Sequence, residues 1–304
     1  MVTKATLHWR VPVASDRLRV SAIHFLNPAP LMWSFDHEPD RSRLAERYIL
    51  SSDTPAECAA RLASGDADIG LVPVSALSFT PSLAVIPGCA IAARDRVRSI
   101  ILVVRHQEGV GPDDLSHVRR VALDSASRTS ATYTRILFAR FWQQQPEFVE
   151  HPPDLEAMLQ VADAALLIGD PALLALEDRA AREQRTGEHL LYLDLAHEWH
   201  EFTGTVWVSA FWAVRPEAFR SSGPTPAQVV NDFQHSRDQG VAHVDSLADE
   251  WSGRIAVPRA TIHTYLSENI WYTLDEPCLA GLELFYRYGV ECGALPGVPH
   301  LHFL

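Results

Sequence analysis

Four hydroxyls and one guanidinium crowd a single junction of this chain. In "VALDSASRTSATYTRILFARFW" an apolar run ends at Asp124 and an amphipathic run follows, with Ser125, Ser127, Arg128, Thr129 and Ser130 between them. Tyr133, Ile136, Leu137 and Phe141 fall on one face at helical spacing, so the junction reads as a strand handing over to a helix. The hydroxyls then sit where unpaired backbone N–H groups and the positive end of the helix dipole point outward together. Such an end binds carboxylate or phosphate. Arg128 adds a charge-assisted, bidentate contact worth roughly 1.5–3 kcal/mol. Ser and Thr are also the favoured helix N-caps, so one or two of these residues serve the helix alone.

The elements that must position this junction follow from pattern. "LRVSAIHFL" (18–26) reads as a strand closed by the turn signal "NPAP". "TPAECAARLASG" reads as a helix with Thr54 as N-cap, Pro55 at the first position and Gly65 as the stop. "DADIGLVPVSAL" is a buried strand leading to a helix, and "PPDLEAMLQVADAALLIGDPALLAL" repeats the plan a lobe later. In that repeat Asp68 matches Asp163, and Ser75 matches Asp170, which follows Gly169 directly. "SIILVVR" and "TVWVSAFWAVR" are long, β-branched or aromatic runs, as central strands are. The chain is expected to cross to a second lobe near the first run and return near the second. This divides it into an irregular tail (1–17), lobe 1 (18–102 and 210–304) and lobe 2 (103–209), with closing helices around "PRATIHTYLSENIW" and "EPCLAGLELFYRYGVECG". A cleft between two lobes is where ligands bind.

Composition excludes several functions. With 304 residues, 47% apolar and 21% charged, the chain is long enough for two core-bearing units of a globular protein. A formal net charge of −12 argues against a nucleic-acid partner. No apolar run reaches membrane-spanning length and "MVTKATLHWRVPVASD" lacks a secretion signal, so a cytoplasmic location is expected. Lys4 is the only lysine, which argues against Schiff-base chemistry, and there is no GxxxxGK[ST] loop. Cys58, Cys89, Cys278 and Cys292 are scattered and read as reduced thiols. "HEWHE" (197–201) has its histidines three apart rather than four, so no metal site is expected there.

An ordered set of blocks resembles the chorismate dehydratase family of the futalosine route to menaquinone. They are "FLNPAPL", "DADIGLVPVS", "VRSIILV", "VALDSASRTSATYTRILF", "DAALLIGDPAL", "DLAHEWHEFTGTVWVSAFWAV" and "GLELFYRYGVECG", from about Val20 to Gly293. The resemblance implies an α/β, two-lobed type II periplasmic-binding-protein-like fold with two crossover strands and a central cleft. It also implies a lyase converting chorismate to 3-[(1-carboxyvinyl)oxy]benzoate and water. Family members usually read Tyr-Leu-Asn-Thr in the first block, whereas this chain has Phe25, Leu26, Asn27 and Pro28, so roles of those Tyr and Thr hydroxyls do not carry over.

That reaction removes a vinylogously acidic C3 proton and then the C4 hydroxyl, giving an aromatic ring; no cofactor is implied. The resemblance casts Asn27 and Ser99 as the catalytic residues. Asn27 would orient the ring hydroxyl or the ether, beside its role as a turn residue before Pro28. Ser99 would bond the leaving hydroxyl or the dienolate, or is a passive core hydroxyl. Ser75, Ser127, Arg128, Thr129, Ser130, Gly169 and Asp170 are the expected substrate-binding residues. The proton acceptor stays open between Asp170 and the substrate's own enolpyruvyl carboxylate. The alternatives are a non-catalytic binder of a chorismate-like acid and a sister lyase of the same pathway.

Overall fold

The computed structural model describes residues 16–107, 109, 111 and 114–304, so the expected tail, Lys4 included, lies outside it but for its last two residues. Eleven strands follow one another along the described chain. They are β1 (Leu18–Ile23), β2 (Tyr48–Asp53), β3 (Ile69–Pro73), β4 (Ala84–Ala93), β5 (Ile100–Arg105), β6 (Arg120–Asp124), β7 (Glu147–His151), β8 (Ala164–Ile168), β9 (Leu190–Asp194), β10 (Trp207–Val214) and β11 (His302–Phe303).

They form two sheets of one plan. The first has the order β11-β4-β10-β3-β1-β2 and the second β7-β6-β8-β5-β9. In each, three parallel strands (β2-β1-β3, β7-β6-β8) meet an antiparallel fourth strand, β10 or β5, that the chain brings from the neighbouring lobe's side. β3 and β8 are buried along their whole length and β5 up to Arg105, the mark of strands covered on both faces. β5 lies wholly in the second sheet and β10 wholly in the first, so the sheets change over within 94–99 and 195–206, a few residues before the points at 102 and 209 read from sequence.

The loose repeat has a physical basis. Asp68, just before β3, accepts the Arg19 N–H of β1 at 2.8 Å; Asp163, just before β8, accepts the Arg120 N–H of β6 at 2.9 Å. Each aspartate ties its lobe's first strand to its third at the end away from the cleft.

Local signals act as expected in the helix Pro55–Ser64, where Thr54 and Glu57 form a reciprocal capping box and Gly65 ends the helix in the left-handed conformation. "NPAP" differs. It does not merely turn the chain but opens the helix Ala29–Asp36, with Pro28 as N-cap, and β1 stops at Ile23 rather than Leu26. Proline suits a first helical turn because its missing N–H would be unpaired there anyway.

Both crossovers are fastened by one carboxylate. Asp194 caps the helix Leu195–Thr203 by accepting the Ala196 and His197 N–H groups, and also accepts the Val97 and Arg98 N–H groups at 3.2 and 2.7 Å. Arg98 takes φ +61°, so this bend is strained and needs such a fastening. Burial raises the Asp194 pKa, and its four N–H donors act in the opposite sense. A continuous apolar core also joins the lobes: Tyr133 stacks on Trp207 at 3.6 Å between centroids and packs against Trp199 and Phe285.

Candidate functional site

In both sheets the three parallel strands point their C-terminal ends at the space between the lobes, where open α/β sheets hold their ligands. The helices that follow therefore begin there: Ala29–Asp36 after β1, Pro55–Ser64 after β2, Arg128–Ile136 after β6 and Gly169–Glu177 after β8. Each helix start carries a partial positive charge of up to roughly half an elementary charge. Together they give a strongly acidic chain a site for an anion without a cationic side chain.

Between these helix starts lies a small cavity of about 40 Å³. Asn27, Ser99, Ser127, Thr129, Ser130 and Ser209 supply its polar wall; Ile23, Phe25, Pro55, Pro73, Ile91, Ile100, Ile168, Gly169 and Ala210 supply the rest. No acid, histidine, lysine or arginine side chain is among these. Asn27 Oδ1 and the fully buried Ser99 Oγ have no hydrogen-bond partner. A buried polar atom left unpaired costs about 1–3 kcal/mol, so two in one cavity mark the place of a polar ligand.

The expected substrate-binding residues divide into two groups. Ser127, Thr129, Ser130 and Gly169 line the cavity with Asn27 and Ser99. Ser127 is at once the N-cap, accepting the Ser130 N–H at 3.1 Å. Ser75, Arg128 and Asp170 are not among the residues of the cavity wall. Ser75 is fully buried and faces Thr129 across the cleft: its N–H donates to Thr129 Oγ1, and Thr129 Oγ1 donates to Ser75 Oγ, both at 3.1 Å. Arg128 is exposed, its guanidinium 5.9 Å from the Phe79 ring of the opposite lobe. Asp170 Oδ1 accepts the Leu26 N–H at 2.9 Å, again from lobe to lobe. These three hold the cleft shut.

Burial raises the Asp170 pKa, and the Leu26 N–H and His24 lower it. Its carboxylate anchors the turn that presents Asn27. Asp170→Asn keeps an acceptor oxygen and is expected to leave ligand affinity within about fivefold, whereas Asp170→Ala, which frees the Leu26 N–H, should weaken it about tenfold in calorimetry.

Phe25 stands where the family pattern has Tyr. Its ring lies over Gly169, where an added Cβ would come within 2.6 Å of it, and Gly169 takes φ +61°. Ile23 and Phe25 also wall a wider outer groove of about 490 Å³ beside the helix Val244–Ser252. The aromatic ring therefore closes the cavity on that side.

Two polar residues escaped the sequence reading. Ser209 enters the wall because the pairing of β10 with β4 shifts between Val208 and Ala210. Tyr265 is fully buried with its hydroxyl near Ser99, and neither oxygen makes a hydrogen bond of ordinary geometry. It opens a π-helical turn, Tyr265–Asn269, whose Asn269 Nδ2 donates to the Arg96 carbonyl of the first crossover. "HEWHE" lies in the helix Leu195–Thr203, where His197 pairs with Asp95 at 2.6 Å.

Two α/β lobes of this strand order, with helix starts gathered on the cleft, define a protein of the periplasmic-binding-protein fold. Solved structures agree. The chain is similar to protein AF1704 from Archaeoglobus fulgidus (14% identity, TM-score 0.69, covering 93% of this chain and 100% of that one). It is similar also to the periplasmic aliphatic sulphonate binding protein SsuA from Escherichia coli (15%, TM-score 0.61, 93% and 90%). A third is the Candida albicans CA3427 gene product, described as having the generic periplasmic binding protein fold (11%, TM-score 0.63, 92% and 91%). Within that fold, residues 18–291 match the family described as menaquinone biosynthesis. The chain belongs to this family, and its role lies in menaquinone biosynthesis. No helix among the described residues is long and apolar enough to cross a membrane.

Proposed function

We propose that this protein is a cytoplasmic hydro-lyase that dehydrates chorismate to 3-[(1-carboxyvinyl)oxy]benzoate in the closed cleft. The observation that carries the reading is the pair of partnerless polar atoms, Asn27 Oδ1 and Ser99 Oγ, in a cavity whose wall has no titratable side chain. A site of that kind orients and stabilises charge but does not take a proton. The substrate's enolpyruvyl carboxylate takes the C3 proton. The electron pair passes through the diene towards the ring carboxylate, then returns to expel the C4 hydroxyl. The hydroxyl leaves as water with the proton that the enolpyruvyl carboxyl took from C3, and the ring becomes aromatic. Asn27 accepts from or donates to the ring hydroxyl, Ser99 donates to the leaving oxygen or the dienolate, and the helix starts at Ser127–Ser130 and Gly169 hold the carboxylates.

The same lack of a base in the cavity wall favours a second reading, a protein that binds such an acid without turnover. One experiment separates the two. Chorismate is incubated with the purified protein in the presence of a chelator, and products are followed by mass spectrometry and ultraviolet absorbance. Loss of one water with a benzoate-type spectrum is the expected result; tight calorimetric binding of unchanged chorismate makes the protein a carrier or sensor.

A further inference from the structure

Ser99 and Ser209 occupy equivalent places in the two lobes. The Ser99 carbonyl accepts the Gly169 N–H at 2.7 Å, and the Ser209 carbonyl accepts the Val74 N–H at 3.0 Å. Further along the same strands, Arg105 donates to the Asp163 carbonyl at 3.0 Å and Arg215 to the Asp68 carbonyl at 2.9 Å. The interval is the same six residues on all four segments (99 to 105, 209 to 215, 163 to 169, 68 to 74), so the correspondence is one of register. Ser209 lies in the exchanged strand β10 and Ser99 immediately precedes the exchanged strand β5, and both reach the cavity.

Ser209 is also prepared for a ligand. The Trp207 indole N–H donates to Ser209 Oγ at 2.7 Å, which fills one lone pair and leaves the serine's own O–H to donate. Trp207 is fully buried under Tyr133, so this orientation is fixed by packing. The irregular pairing at Val208–Ala210 interrupts an apolar run to place the hydroxyl there. The cavity thus offers one hydroxyl from each lobe at places related by an approximate twofold, a match for a ligand with an acceptor group at each end.

We infer that Ser209 is a specificity-determining residue that donates to the second carboxylate of a dicarboxylate ligand, the one not carried on the ring, while Ser99 faces the ring. This rests on the proposed reading of an acid in the cleft, and extends it by saying why the site prefers two carboxylates to one. The test measures calorimetric affinities for 3-[(1-carboxyvinyl)oxy]benzoate and for 3-methoxybenzoate, which keeps the ring carboxylate and ether but lacks the second carboxylate. Wild type, Ser209→Ala and Ser209→Thr are compared, with near-UV circular dichroism to check the Trp207–Tyr133 packing. Ser209→Ala should lose about tenfold or more in affinity for the dicarboxylate and less than about twofold for the monoacid, since a hydrogen bond to a charged group is at stake. Ser209→Thr, which keeps the hydroxyl, should recover most of the loss. Equal losses for both acids, or none for either, overturn the assignment. Chorismate that binds without losing water removes the proposed reaction and leaves the Ser209 assignment to be judged by the ratio; acids that fail to bind wild type at all remove both.

Discussion

If the proposed reaction is the protein's own, truncating either partnerless group of the cavity is expected to abolish most of the turnover of chorismate while leaving the fold intact. Ser99→Ala and Asn27→Ala should each lower kcat about 10²- to 10³-fold, the range found when one preorganised hydrogen-bond donor to developing charge is removed. In free energy this is about 2.7–4 kcal/mol of transition-state stabilisation. Neither change should cost stability. Neither Asn27 Oδ1 nor Ser99 Oγ has a hydrogen-bond partner in the structure, so Ser99→Ala removes a buried polar oxygen that has no partner to lose. Activity falling while the urea midpoint holds or rises is the signature expected. The double variant should be little worse than the worse single one if the two groups act on the same departing hydroxyl. Retention of full turnover in both single variants would remove these residues from the reaction and leave the binding-protein reading.

The second large effect belongs to Asp194. Its carboxylate accepts backbone N–H groups from both crossovers, so Asp194→Ala orphans four donors in one step, those of Val97 and Ala196 buried and those of Arg98 and His197 partly buried. A destabilisation of at least about 3 kcal/mol is expected from the lost cap and the unsatisfied N–H groups together. It should appear as a lower urea midpoint with an unchanged slope. Asp194→Asn keeps one acceptor oxygen and should lose less. The pH dependence separates the two acceptors. Burial raises the folded-state pKa of Asp194, so the stability gained by protonating it is fully present below the unfolded value near 3.9 and is lost as pH rises through the raised folded value. Wild type should therefore gain on Asp194→Asn as pH falls from 7 towards about 4. A gap between them that does not change with pH would place no titration at this carboxyl.

Local chemistry in the sequence was readable where a residue acts on its own neighbours. Thr54, Pro55 and Gly65 bound their helix through contacts within four residues, and Ser127 caps its own. The matched aspartates Asp68 and Asp163 were readable too, because both must precede a buried strand to reach the first strand of their lobe. What sequence did not give is direction. Ser127, Arg128, Thr129 and Ser130 are consecutive, and successive helical residues point about 100° apart, so they cannot all face one cavity. Arg128 is the one turned outward, against Phe79. Asp170 and Ser75 open helices at the cleft, but their polar atoms are taken by the opposite lobe, a contact no local pattern encodes. Ser209 hid in "WVSAFW", which reads as a core strand until a pairing shift turns one residue inward. Tyr265 hid in a run that reads as continuous helix and is broken by a π turn.

The exchange of β5 and β10 orders events on the ribosome. The second sheet is encoded without interruption between Ile100 and Asp194, so it can close as soon as that stretch emerges. The first sheet cannot: β10 is its inner strand, lying between β3 and β4, and it is made only after the whole second lobe. Until Trp207–Val214 arrives, β3 and β4 each present an unpaired flank, the kind of edge that invites pairing with other chains. The first part of the chain to be synthesised is thus the last to be finished, and a nascent chain stalled before Trp207 holds one completed sheet and one torn open.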